Sequence, residues 1–211
     1  MKPNIIVVGK SGSGKSTSLR NLNPKSTAIL NIERKQLPFR GAKDFLNVAV
    51  ADLNTFNAAF KKAMESKDID TIVIESFTAL VEMIYREADV RFKGFDVWSF
   101  YNKEIDRILN MSKNTDKNVI FLAIDGAYDG ESGVQERFVA VDGNRWKKRV
   151  EKEFVVCLYT DNHNGEDGMK YRFRTQSQGN DSAKSPMGMF DELYIDNDLK
   201  HVINMCEEYY N

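Results

Sequence analysis

The stretch "IIVVGKSGSGKSTSLR", residues 5–20, constrains the fold more than any other part of the chain. A β-branched run leads into a turn carrying Gly9, Gly12 and Gly14, and Lys15-Ser16-Thr17 opens what reads as a helix over 15–22. The spacing fits G-x-x-x-x-G-K-[ST], and it sits between an apolar strand and a helix start, where the chemistry needs it. Glycines let the backbone curl so that successive N–H groups point inward, and a helix N-terminus adds partial positive charge. Residues Gly9, Lys10, Ser11, Gly12, Ser13, Gly14, Lys15, Ser16 and Thr17 are therefore expected to hold a nucleotide's phosphates. Lys15 would reach the β- and γ-phosphates, and Ser16 would ligate Mg2+.

A phosphate loop of this kind needs a parallel sheet behind it, and the rest of the chain supplies one. Strand-like runs at 4–8, 27–32, 45–50, 70–75 and 118–124 alternate with helical runs at 54–66, 78–91 and 97–112. That βαβ order predicts a mostly parallel, doubly wound α/β sheet with helices on both faces. The tail differs: "EFVVCLYT" (153–160), the turn-rich 161–168 and "MKYRFRTQ" (169–176) predict an antiparallel hairpin, followed by a helix over 198–209. With 211 residues, 42% hydrophobic, and no repeat or linker, one domain over 1–211 is expected. The Gly-, Asp- and Glu-rich segment 126–144 reads as a long surface loop.

Charge and cysteine content narrow the setting. Thirty basic residues against 31 acidic ones leave a net charge of −1, so attraction to nucleic acid or membrane must come from a local patch. Cys157 and Cys206 lack ligand spacing and read as buried thiols in a reducing compartment. The longest apolar runs are far too short to span a membrane, which gives a cytoplasmic expectation.

Hydrolysis also requires a carboxylate for the metal and one to orient water. Glu75 closes the strand "TIVIE" and is expected beside the first strand, where it would hold Mg2+ directly or through water. Glu33 closes "TAILNIE" and, if that strand lies near the first, would face the γ-phosphate and polarise the attacking water. The letters of "NKEID" (102–106) resemble a guanine-reading motif, but the spacing is one residue too long, which leaves ATP as the expected nucleotide.

The strand ends "NIER" and "IVIESFTAL", together with the tail "YRFRTQSQGNDSAKSPMGMF" and its final helix, resemble the small phage-encoded RecA-like ATPases of the single-strand annealing and recombination type. The resemblance implies a RecA-like core that forms a homo-oligomer, ring or filament, hydrolyses ATP with Mg2+ between subunits, and pairs single-stranded DNA in the host cytoplasm. It also admits a single-strand DNA-binding protein as a partner. By position it makes Glu33 the catalytic glutamate and Glu75 the metal-side acid, with glutamate standing where aspartate is usual. Lys184 in "DSAKSP", and after it Arg174, are the candidates to enter a neighbour's site and stabilise the transition state.

The resemblance also directs DNA to the segment from Gly126 to Arg149. Its first half, with Asp129, Glu131 and Glu136, is acidic, whereas "RWKKR" places Arg145, Lys147, Lys148 and Arg149 around Trp146. These would give phosphate contacts and a stacking face. The competing reading is an amphipathic turn with Trp146 facing the core and the cations solvated. For the whole chain, the alternatives are a P-loop small-molecule kinase and a nucleotide-switched binding module with little turnover.

Overall fold

The computed structural model describes residues 2–129, 133–166 and 168–211. Its strands are β1 (Ile5–Val8), β2 (Thr27–Asn31), β3 (Leu46–Ala49), β4 (Thr71–Glu75), β5 (Asn118–Ala123), β6 (Asp125–Asp129), β7 (Gln135–Val139), β8 (Val156–Gly165), β9 (Gly168–Arg174) and β10 (Tyr194–Asp196). The helices are α1 (Leu53–Glu65), α2 (Phe77–Arg91), α3 (Phe95–Lys113) and α4 (Leu199–Tyr210). Eight strands form one sheet in the order β10-β9-β8-β1-β5-β4-β2-β3, and β6 and β7 form a separate two-stranded sheet. From β3 to β8 every pairing is parallel; β8-β9 and β9-β10 are antiparallel. The mostly parallel α/β sheet with an antiparallel C-terminal hairpin is thus the architecture expected from the sequence.

Buried on both faces, the central strands are continuous apolar runs rather than alternating ones. Along β1, Ile6 and Val8 face the layer made by α1, α2 and α3, while Ile5 and Val7 face α4 and the turn after the phosphate loop. In β5 the same parity puts Val119 and Phe121 on the first face and Ile120 and Leu122 on the second. α1 shows its own logic plainly. Leu53, Phe56, Phe60 and Ala63 recur at helical spacing and are buried, and the Asp52 carboxylate accepts from the Thr55 N–H at 2.7 Å to cap the first turn.

Several expectations change in the structure. The segment after the loop is a six-residue 3-10 turn, Ser16–Asn21, rather than a helix reaching residue 22. Ser18 Oγ donates to the Lys15 carbonyl at 2.5 Å, a side-chain bond that competes with helix propagation, and Leu22 is extended two residues before Pro24. So short a turn has little macrodipole, and the expected phosphate binding would rest on the loop's own N–H groups and on Lys15. The segment 126–144 is not a loop throughout: residues 126–129 and 135–139 belong to the paired strands β6 and β7, with Glu131 outside the described residues. Much of the expected turn 161–168 is strand as well, since Asp161 to Gly165 continue β8 against β9.

Candidate functional site

Parallel strands bring their carboxyl ends to one edge, and in open α/β sheets that edge is where ligands bind. Here it carries the loop after β1, Glu33 after β2, Glu75 at the end of β4, and Asp125 after β5. β4 is not beside β1, as the sequence suggested; β5 lies between them. Even so, Ser16 Oγ donates to Glu75 Oε1 at 2.7 Å, because the loop arches across the end of β5. A cavity of about 400 Å3 lies over this edge, bordered by Lys15, Ser16, Glu33 and Glu75 among others. The structure therefore gathers Lys15, Ser16, Glu33 and Glu75 around one space, together with Ser11, Gly12, Gly14 and Thr17 of the loop.

The loop is held in shape from below. Gly9 has no room for a side chain: a Cβ there would stand 1.7 Å from Thr160 Oγ1. Thr160, at the level of β8 where the parallel pairing ends, shares a 2.8 Å hydrogen bond with Ser13 Oγ and also donates to the Val8 carbonyl at 3.4 Å. Gly14 adopts φ +93°, which favours glycine, and its missing Cβ lets the Tyr171 ring approach.

Lys15 is buried, and its ammonium donates to the Gly9 and Lys10 carbonyls at 2.8 and 2.9 Å. Burial lowers its pKa, while the carboxylates of Glu75, Asp125 and Glu33 oppose that shift. Burial likewise raises the pKa of Glu75, against the stabilising hydrogen bond from Ser16 and the charge of Lys15; Glu33 adds to the rise. Glu75 Oε2 is buried and has no hydrogen-bond partner among the described residues. Glu33 is ion-paired with Lys35 at 2.6 Å, and Lys35 is 76% exposed, so the pair is one that solvent readily exchanges. Arg34, at φ +55°, turns the chain between them.

Sequence reasoning missed Asp125. Its side chain is buried, Oδ2 accepts from Arg137 Nε at 2.8 Å, and Oδ1 has no partner among the described residues. The signal was available: "VIFLAID" is an apolar strand closed by an acid, like those that pointed to Glu33 and Glu75. Thr160, Tyr171 and Asn197 had no comparable local signature.

The remaining candidates lie elsewhere. Lys184 is half-buried on the flank of β8, its N–H and carbonyl both bonded to Cys157, and it does not line the cavity of its own chain. Arg174 is buried and ion-paired with Asp181, whose carboxylate is fully buried, and Arg174 Nη1 donates to Gln178 at 3.3 Å. That guanidinium is committed inside its own fold, which removes the reason for choosing it as a residue that enters a neighbour's site. In "RWKKR" the stacking expectation fails as well. Trp146 is 2% exposed and belongs to the core cluster beneath the helices. Arg145 is paired with Asp106 at 2.5 Å and Lys148 with Glu136 at 2.7 Å, while Lys147 lies over the Tyr128 ring and Arg149 is exposed. Cys157 and Cys206 are buried free thiols, with burial raising the pKa of both.

Among solved structures, the chain is similar to the flagellar accessory protein FlaH from Methanocaldococcus jannaschii, with 15% identity, a TM-score of 0.42, and coverage of 82% of this chain and 76% of that one. No curated protein matches the sequence. A family model described as an AAA domain matches residues 1–187, a span that takes in the phosphate loop, every strand-end carboxylate at the cavity and the segment bearing Lys184. On that match the chain belongs to the AAA domain family of P-loop nucleotide-binding ATPases.

Proposed function

We propose that this domain binds ATP with Mg2+ over the loop after β1 and hydrolyses it. The observation that carries the reading is the Ser16–Glu75 pair, in which a hydroxyl and a buried carboxylate with one unpartnered oxygen converge beside Lys15. Hard oxygen donors of this kind suit Mg2+, which usually keeps several waters and is held through one or two protein oxygens plus phosphates. When bound, the ion would neutralise charge on the β- and γ-phosphates. Lys15 would exchange its two loop carbonyls for phosphate oxygens, trading neutral acceptors for charged ones. Glu33 would orient the attacking water once Lys35 swings into solvent. The second reading is a nucleotide-switched module with little turnover, favoured by glutamate standing at position 75 where aspartate is usual.

The reading extends to single-stranded DNA and to an oligomer, with Lys184 acting toward a neighbouring copy. What supports this extension is the resemblance of the tail and the position of Lys184 outside its own cavity. With Trp146 buried, a DNA path would run over Lys147, Lys148 and the β6-β7 ring of Tyr128, which Lys147 and Lys148 approach at 5.2 and 5.7 Å.

Phosphate release from ATP, measured with and without single-stranded DNA alongside phosphoryl transfer to nucleosides and nucleotides, tests the proposal. Hydrolysis that rises with DNA is expected. Transfer to a nucleotide without DNA stimulation would overturn it in favour of a kinase.

A further inference from the structure

Past Thr17 the space over the phosphate loop continues into a second hollow of about 230 Å3, lined by Thr17, Arg20, Tyr171 and Asn197. Thr17 and Tyr171 border both spaces, so a nucleotide whose phosphates lie over the loop would extend its nucleoside into this one. We propose that the hollow seats adenine, stacked on Tyr171 and read by the Asn197 carboxamide. The inference rests on the nucleotide reading above and adds to it which residues recognise the base.

Two independent features point to a planar, hydrogen-bonding ligand. Tyr171, on β9, is 45% exposed, and its ring packs against Gly14, where a Cβ would come within 2.9 Å of Cδ1. A half-exposed ring beside the phosphate loop offers a face to a base. Asn197, in contrast, is 4% exposed, yet Nδ2 has no hydrogen-bond partner among the described residues. A buried donor without an acceptor is uncommon and destabilising, and a ligand acceptor would relieve it. The main chain that carries the carboxamide is fixed: the Asn197 backbone N–H donates to the Tyr171 carbonyl at 3.3 Å, and the Asn197 backbone carbonyl accepts from Arg20 Nη1 at 2.5 Å. Arg20 Nη1 also donates to the Thr17 carbonyl at 3.2 Å, which ties this wall to the end of the phosphate loop.

The chemistry selects among bases. A carboxamide can donate to N7 of adenine through Nδ2 and accept from its N6 amino group through Oδ1. Guanine presents two acceptors on the same edge, O6 and N7, so one end of the amide would face oxygen against oxygen. With Nδ2 unpartnered among the described residues, a carboxamide on that edge favours adenine, because its Oδ1 would face the N6 amino group of adenine but O6 of guanine.

Calorimetric titration in Mg2+ with ATP, GTP, 7-deaza-ATP and inorganic tripolyphosphate tests the assignment on wild-type protein, Tyr171→Ala, Tyr171→Phe and Asn197→Leu. Tyr171→Ala should weaken ATP about tenfold and leave tripolyphosphate unchanged, while Tyr171→Phe should bind ATP as the wild type does. Asn197→Leu should weaken ATP and erase its advantage over GTP and 7-deaza-ATP. Wild-type protein that binds ATP no more tightly than tripolyphosphate, or a Tyr171→Ala variant that loses both equally, overturns the base seat alone. Wild-type protein that binds none of the probes overturns the nucleotide reading as well.

Discussion

Ser16 Oγ donates to Glu75 Oε1 at 2.7 Å, joining the phosphate loop after β1 to the end of a strand two places away in the sheet. That bond sets the spacing of the two side-chain oxygens that would hold metal. Around it, the buried Lys15 ammonium and the buried Glu75 carboxylate each favour the other's charged form, while burial opposes both.

Lys15→Ala should remove nucleotide binding or turnover. The ammonium donates to the loop's own Gly9 and Lys10 carbonyls, and an alanine would leave bound phosphates with backbone N–H groups alone. A loss of roughly 100-fold or more in hydrolysis is expected, as for removal of other donors placed on developing charge. Steady-state phosphate release together with ATP titration measures it, and unchanged turnover would take the phosphate loop out of the mechanism.

The raised pKa of Glu75 has a defined sign. As pH falls from neutral, the folded protein takes up a proton at Glu75 while the unfolded chain is still ionised, so the wild type gains stability relative to a variant without that carboxylate. Glu75→Gln should therefore melt above the wild type at neutral pH, and the gap should narrow as pH drops through the folded pKa and stay constant below the ordinary carboxylate range. Magnesium-dependent ATP affinity of the wild type should weaken over the same descent, because the protonated acid no longer offers a charged oxygen. Thermal melts and nucleotide titrations at matched pH values check both halves.

Gly9 is constrained by packing as much as by phosphate. A Cβ would fall 1.7 Å from Thr160 Oγ1 and 2.8 Å from Ser13 Oγ, so Gly9→Ala should destabilise by about 1–3 kcal/mol through overpacking. Thr160→Ala removes the oxygen it meets and should recover part of the loss, giving a double variant less destabilised than the sum of the singles. Chemical denaturation of the four proteins reads the coupling directly.

How far the site was legible depended on whether its residues are neighbours in sequence. Gly9, Lys15, Ser16 and the strand-end acids Glu33 and Glu75 announce themselves because a loop motif and an apolar run with a terminal carboxylate are local patterns. Thr160 reaches the loop only because β8 pairs with β1 in the register Val8–Tyr159, and Tyr171 and Asn197 arrive through the antiparallel turn-back of β9 and β10. No spacing rule encodes such long-range register. Trp146 shows the converse, since cations around an aromatic read equally well as a nucleic-acid patch or as one core side chain with a solvated rim; burial resolves its side chain to the core. The β6-β7 hairpin was hidden by the polar composition of its strands, of which only Val139 is buried among residues 135–139.

Arg174 separates a structural role from a catalytic one. Its guanidinium and the Asp181 carboxylate are both buried, with side chains 9% and 0% exposed, and removal of either partner strands the other charge in the interior. Asp181→Ala and Arg174→Ala should each cost about 3–5 kcal/mol, the usual consequence of breaking a buried pair from one side. Replacing both together, Arg174→Met with Asp181→Leu, should recover most of that loss, because neither charge is then left alone. If the double variant folds and still hydrolyses ATP near the wild-type rate, Arg174 acts in the fold. A stable double variant that has lost turnover would return Arg174 to the catalytic set, and urea denaturation paired with phosphate release distinguishes the two outcomes.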